Sequence, residues 1–229
     1  MTHIKILDVL LRNIKHIGHI MCEKPMSHKL EDVNWLETRH ELATLDKHIS
    51  VGYKWLYHPC WKNAAAAAAG RLVSHIDQGH PYPHLGNWKM DYSVIWDLGI
   101  HAIAHMFKMS GKEKAADWVI DIATDDLENY KAFAKFHTLD GGVGNVDFKI
   151  FSLYSAYEDF KSVGGTRGES IINDTPLAWI DLFDVQIKHL IEGRPRKTSW
   201  SFGKQVDILA RRWELLTLKS NMNLVGDTR

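Results

Sequence analysis

The sequence predicts an α/β segment followed by a larger α+β domain. Residues 1–56 alternate helix-like and strand-like runs, the rhythm of parallel strands joined by crossover helices. Beyond residue 57 the strand-like runs cluster at 117–123, 130–138 and 146–154, with helical runs set apart from them. That segregation is the mark of an α+β domain. Asp140-Gly141-Gly142, between two of those strands, is a hairpin signal.

Taken in order, Ile4, Leu7, Leu11 and Ile14 recur at helical spacing, with Thr2 placed to cap them. Gly18 breaks the pattern, and Ile20-Met21-Cys22 suits a short buried strand over 19–23. Pro25 cannot continue a sheet ladder, so that strand stops at Glu23-Lys24. Ser27 is placed to cap a helix over 28–44, with Leu30, Val33 and Leu36 near one face, and 48–52 reads as a second strand. Two strands are few for a parallel sheet, which needs both faces covered. The pattern starts in mid-rhythm, and further strands are expected ahead of it.

The six alanines Ala64 to Ala69, closed by Gly70, favour a helix over 57–70. Residues 71–77 read as a strand and His80-Pro81-Tyr82-Pro83 as a loop. A helix over 97–109 carries Ile100, Ile103, Ala104 and Phe107 on its apolar side. After the three clustered strands, Val163-Gly164-Gly165-Thr166 turns before a short strand at 169–172. Helices at 179–192, ended by Gly193, and 203–218, with Val206, Leu209, Trp213 and Leu216, complete the chain. The boundary between domains is expected near residues 53–60.

Composition excludes several function classes. The 28 basic residues balance 28 acidic ones, so no electrostatic footprint for nucleic acid or an anionic membrane surface is present. No apolar run approaches the length of a membrane span. Two cysteines, Cys22 and Cys60, make no disulfide framework and fit a reducing, cytoplasmic compartment.

Three side chains suit chemistry. Lys24 stands at the carboxyl end of a strand, where open α/β sheets place ligands; a surface lysine at a strand end has the same signature. Asp97 and His101 are four apart on an expected helix and so share a face. A carboxylate there orients an imidazole and suits it to accept a proton, although an ordinary Asp/His pair reads the same. His101 and His105 have helical metal-site spacing but no third ligand, so no metal is expected. His16-Ile17-Gly18-His19 and Lys108-Met109-Ser110-Gly111-Lys112 have the form of synthetase nucleotide signatures, in the wrong structural context. Gly141-Gly142-Val143-Gly144 has no following helix and reads as a turn.

The ordered set of motifs resembles the glucose–fructose oxidoreductase and inositol dehydrogenase family. It runs from Gly18-His19-Ile20-Met21-Cys22-Glu23-Lys24-Pro25 through Val51-Gly52-Tyr53 and Tyr57-His58-Pro59 to Asp97-Leu98-Gly99-Ile100-His101. Val163 to Gly168, Gly193 to Pro195, Thr198, Gly203 and Gln205 complete it. The resemblance implies the C-terminal portion of a Rossmann domain over 1–56. It implies an open mixed-sheet domain over 57–229, with helices on one face, for substrate binding and oligomerisation. It further implies NAD or NADP as cofactor, a sugar, cyclitol or related polyol as substrate, and a homodimer or homotetramer formed through the sheet. Lys24, Asp97 and His101 match the catalytic group. Glu23, Lys24 and Pro25 match the cofactor-binding motif, with a cis bond before Pro25. Tyr53, His58, Trp88 and Lys89 are candidate substrate contacts by position.

The sequence departs from the family in three places. No Gly-x-Gly-x-x-Gly follows a strand, so a pyrophosphate site is not expected within this chain, nor activity from this chain alone. Tyr92 to Trp96 stand where glycines are common, and Leu56 where an arginine is common. Two other readings of the same chain are a non-catalytic assembly scaffold and an NAD-dependent glycosidase of the same fold.

Overall fold

The computed structural model describes residues 3–57, 75–79, 95–126, 131–141, 146–151, 163–164, 170–171, 179–192 and 198–226. Its elements begin with helices α1 (His3–Arg12) and α2 (Ile14–Ile17) and strand β1 (Ile20–Cys22). Helices α3 (Leu30–Arg39) and α4 (Leu42–His48) follow, then strands β2 (Ile49–Val51) and β3 (His75–Gly79) and helix α5 (Ile100–Ser110). Next come strands β4 (Trp118–Asp126), β5 (Lys131–Thr138), β6 (Val146–Phe151), β7 (Val163–Gly164) and β8 (Ser170–Ile171). Helices α6 (Trp179–Ile191) and α7 (Trp200–Gly226) end the chain. Thr2 and the alanine run lie outside the described residues.

The chain gathers into two compact units, Met1–His58 with Leu177–Ile208, and Pro59–Pro176 with Leu209–Arg229. The first break falls within the 53–60 stretch expected for the boundary, and Leu177–Ile208, expected in the second domain, groups with the first unit. The physical cause is the return of α6 and the start of α7 to the first unit, where they complete its hydrogen bonding.

In the first unit β1 and β2 pair in parallel, Ile20 opposite Ile49 and Cys22 opposite Val51. Ile4, Leu7 and Leu11 of α1 are buried with Val33, Leu36, Leu45, Ile49 and Val51. The helix expected over 28–44 is two helices. His40 leaves the helical conformation at φ −136°, and its Nε2 donates to Asp8 Oδ1 at 2.9 Å. Ser27 is not the N-cap; Lys29 holds that position. Instead Ser27 Oγ accepts from the Lys29 amide at 3.1 Å and donates to Asp32 at 3.1 Å.

Asp8 ties α1 to α3. Besides His40, it accepts from Arg12 at 2.5 Å and from Arg39 Nε at 3.1 Å. Burial alone would raise its pKa, but donors from His40, Arg39 and Arg12 outweigh burial and hold the carboxyl at about 2.

The second unit carries a four-stranded sheet in the order β3-β6-β5-β4. β3 runs parallel to β6, and the other two pairings are antiparallel, so the sheet is mixed. Along β5, Ala132, Ala134, Phe136 and Thr138 are buried and the residues between them are not, the period of a sheet covered on one face. In β4, Trp118, Ile120 and Ala123 are buried among the described residues. A bulge between Ile120 and Ile122 shifts the alternation by one. α5 packs by stacking Phe107 on Trp118 at 6.3 Å, and the later part of α7 by setting Trp213 edge-on to Phe136 at 5.6 Å. Arg212 donates to the carbonyls of Ala115 at 2.7 Å and Trp118 at 3.0 Å. Gly111 ends α5 in the left-handed conformation, φ 68°. No described helix is long and apolar enough to cross a membrane.

Because the folded pKa of Asp8 lies below its unfolded value, its contribution to stability is full above pH 3.8 and disappears as pH falls toward about 2. Urea unfolding of wild type and Asp8→Asn should therefore differ at pH 6 and converge as pH drops through that window. An undiminished difference near pH 2 would contradict the ion-pair account.

Candidate active site

β1 is apolar until Cys22, then the chain turns outward. Glu23 is exposed, Lys24 is half-buried, and the Lys24–Pro25 bond is cis. Hydrogen bonds on both sides hold this turn. The Gly52 amide, just past β2, donates to the Cys22 carbonyl at 2.8 Å. His3 Nδ1 donates to the Pro25 carbonyl at 3.0 Å. Ser27 bonds Lys29 and Asp32 as described above. A Cβ at Gly52 would stand 3.1 Å from Glu23 Oε2 and 3.4 Å from the Cys22 carbonyl, so glycine keeps the carboxyl ends of β1 and β2 in close approach. The Cys22 thiol is pushed up to about 12 by burial, with Asp207 and Glu23 adding to the effect. It remains a thiol at neutral pH and is no nucleophile.

α6 and α7 support these strand ends from outside the local sequence. Gln186 Nε2 donates to the Val51 carbonyl at 3.0 Å, and the Val51 amide donates to the Thr198 carbonyl at 2.8 Å. Trp200 Nε1 donates to Glu37 at 2.9 Å. Asp46 accepts from the Ser201 amide at 2.7 Å and the Ser201 hydroxyl at 2.6 Å, serving the free amides at the start of α7 as a cap residue would. Ser199 Oγ also accepts from the Phe202 amide at 3.3 Å, so the last helix starts at Trp200 rather than at 203. At Gly203 an added Cβ would meet Val51 Cγ2 at 2.6 Å and Met26 Sδ at 3.1 Å.

Lys24 stands in the first unit, and Asp97 and His101 in the second. Asp97 lies in a π-helical turn, Ile95–Gly99, that runs directly into α5. The α-helical spacing on which a shared face was expected is thus interrupted between the two residues. Such turns recur at functional sites. His101 is buried on α5, as is His105. Tyr53 is fully buried in the first unit, edge-on to Phe202 at 5.8 Å. His58, Trp88 and Lys89 lie outside the described residues.

Sequence reasoning missed Asp207, which is completely buried in the first unit. A signal was present: Asp207 is four residues beyond Gly203 and three before Ala210, on the apolar stripe of its helix.

No family model and no curated protein matches the sequence. Solved structures do match in fold. A probable dehydrogenase from Thermotoga maritima superposes with a TM-score of 0.67 at 17% identity, over 95% of this chain and 76% of that one. A myo-inositol dehydrogenase from Lactobacillus casei, in complex with NAD(H) and myo-inositol, gives 0.65 at 17% identity, over 91% and 72%. The chain has the fold of the glucose–fructose oxidoreductase and inositol dehydrogenase family. An aldose-aldose oxidoreductase of that fold from Caulobacter crescentus, complexed with glycerol, gives 0.67 at 15% identity, over 95% and 74%. Within the family fold, the short parallel pair is the partial Rossmann element and the four-stranded sheet is the open mixed one.

Gly203 bears on the first unit's packing most directly. Gly203→Ala should lower stability by about 1–3 kcal/mol through overpacking against Val51 and Met26, read by chemical denaturation. An unchanged midpoint would mean that the close approach relaxes without cost.

Proposed function

We propose that the protein is an NAD(P)-dependent oxidoreductase that moves hydride between a nicotinamide and a secondary hydroxyl of a sugar, cyclitol or related polyol. The observation that carries this reading is Lys24, a half-buried cation at the carboxyl end of a parallel strand, in a chain whose structural neighbours include a probable dehydrogenase and a myo-inositol dehydrogenase. Ligands of open parallel sheets sit at those strand ends. A nicotinamide ribose would sit at these strand ends, which Gly52 allows to approach closely beside Glu23. Glu23, Lys24 and Pro25 would hold it. When bound, the nicotinamide supplies the hydride acceptor or donor.

The roles of the chain's own residues follow from their chemistry. Oxidising an alcohol requires loss of the hydroxyl proton, which His101 accepts at an imidazole nitrogen. The Lys24 ammonium stabilises the alkoxide that develops on the substrate oxygen. Asp97 orients His101 or the substrate. His58, Trp88 and Lys89 remain candidate substrate contacts by position, whereas Tyr53 is fully buried with its hydroxyl toward Asp207. Assembly through the four-stranded sheet belongs to the same proposal, since Phe133, Lys135 and His137 on the opposite face of β5 are partly exposed.

Lys24→Ala and His101→Gln in the intact protein should each lower turnover by about 10²- to 10⁴-fold, with circular dichroism unchanged. The assay is nicotinamide reduction over a panel of polyols and sugars. Near wild-type turnover in both variants would defeat the assignment.

A further inference from the structure

We infer that Asp207 is a positioning residue for Lys24: one turn beyond Gly203 on α7, its carboxyl seats the Met26–Ser27 segment and thereby sets where the Lys24 side chain stands. The inference rests on the oxidoreductase reading for its purpose, but its geometry is independent of that reading.

Asp207 is completely buried, and so are Tyr53 and Met26. Its carboxyl lies against the backbone amides of Ser27 and Met26 and the Tyr53 hydroxyl, short of full hydrogen-bond geometry. Gly203, on the same helix face, brings α7 to within contact of Met26 and Val51. The segment that carries Lys24 is therefore held at one end by the β1 ladder and at the other by α7. Between them, His3 holds the Pro25 carbonyl.

The chemical state of the carboxyl suits this role. Burial pushes Asp207 well above the usual carboxylate range, against the opposing pull of the Ser27 and Met26 amides and Tyr53. A neutral carboxyl is both acceptor and donor. Its oxygens can accept from the two amide N–H groups and the Tyr53 hydroxyl without a buried charge. The same burial, reinforced by Asp207 and Cys22, raises the Tyr53 hydroxyl, so that group also stays neutral. An apolar residue at 207 would fill the space and leave two buried amides unserved, which is the costly outcome for a buried polar group. Small displacements of a catalytic group cost rate steeply, so a tie two residues from Lys24 has a functional consequence that general packing does not.

The test uses intact protein as wild type, Asp207→Asn, Asp207→Leu and Tyr53→Phe. Two quantities are read: amide hydrogen exchange at Met26 and Ser27, and the rate at which acetic anhydride labels Lys24, with Lys29 and Lys47 as internal references. Asp207→Leu should raise exchange at the two amides by about tenfold or more, as expected for loss of a local tie, and change Lys24 labelling alone. Exchange at Ile49 to Val51 should hold. Asp207→Asn, neutral and hydrogen-bonding, should restore both readouts to within about twofold of wild type. Tyr53→Phe should give a smaller rise at the same amides, and it decides the matter if Asp207→Leu does not fold. Unchanged exchange at Met26 and Ser27, or a rise spread evenly over the whole unit, would overturn the inference. So would Asp207→Asn behaving like Asp207→Leu. Lys24→Ala, which leaves the tie intact, should not alter these amides; its turnover judges the oxidoreductase reading separately.

Discussion

The open edge of β2 is the constraint on which the first unit depends. A two-stranded parallel sheet leaves each strand with one unpaired side, and buried backbone groups there must find partners. Ile49, Ser50 and Val51 are all completely buried, so water is no substitute. The partners come from far along the chain. Thr198 takes the Val51 amide, Gln186 serves the Val51 carbonyl, and the Ser50 and Thr198 hydroxyls bond each other at 2.8 Å. These requirements bring α6 and the start of α7 back to a unit that the chain has otherwise left.

Once that return is made, the rest of the first unit follows. α7 has to approach β2 closely, which only a residue without a Cβ allows, and Gly203 is that residue. Its exposed amides need a carboxylate, and Asp46 of α4 supplies one. Its next turn brings Asp207 beneath the segment after Pro25. The turn bearing Lys24 thus rests on a helix that begins 176 residues later (200 − 24). The candidate catalytic lysine is held by tertiary structure and not by its own neighbours alone.

The second unit solves a different problem. Its strands are long enough to form a sheet by themselves, and the aromatic residues Phe107, Trp118, Phe136 and Trp213 fill the space between sheet and helices. The π-helical turn at Ile95–Gly99 leads directly into α5, which carries His101. That turn changes the angular offset between Asp97 and His101 from the one their spacing suggests. The bulge in β4 has a comparable effect on a sheet, moving the buried set from even to odd positions after Ile120.

The sequence by itself determined the local elements and their type. Apolar spacing set α1, α5 and α7, the short apolar run set β1, and the Asp140-Gly141 signal joined β5 to β6 in antiparallel register. It also placed Lys24 at a strand end, because proline stops a ladder wherever it occurs. The division of α3 from α4 was not readable, since His40 leaves the helix to reach Asp8 across 32 residues. The start of α7 is marked locally by Ser199, whose Oγ accepts from the Phe202 amide at 3.3 Å, but its second cap, Asp46, lies 155 residues away and was not readable. Asp207 looked like any helical aspartate until packing buried it. Spacing reports periodicity, which is local; only tertiary structure decides which buried polar groups must find partners, and those partners decided how this chain divides and what holds its candidate site.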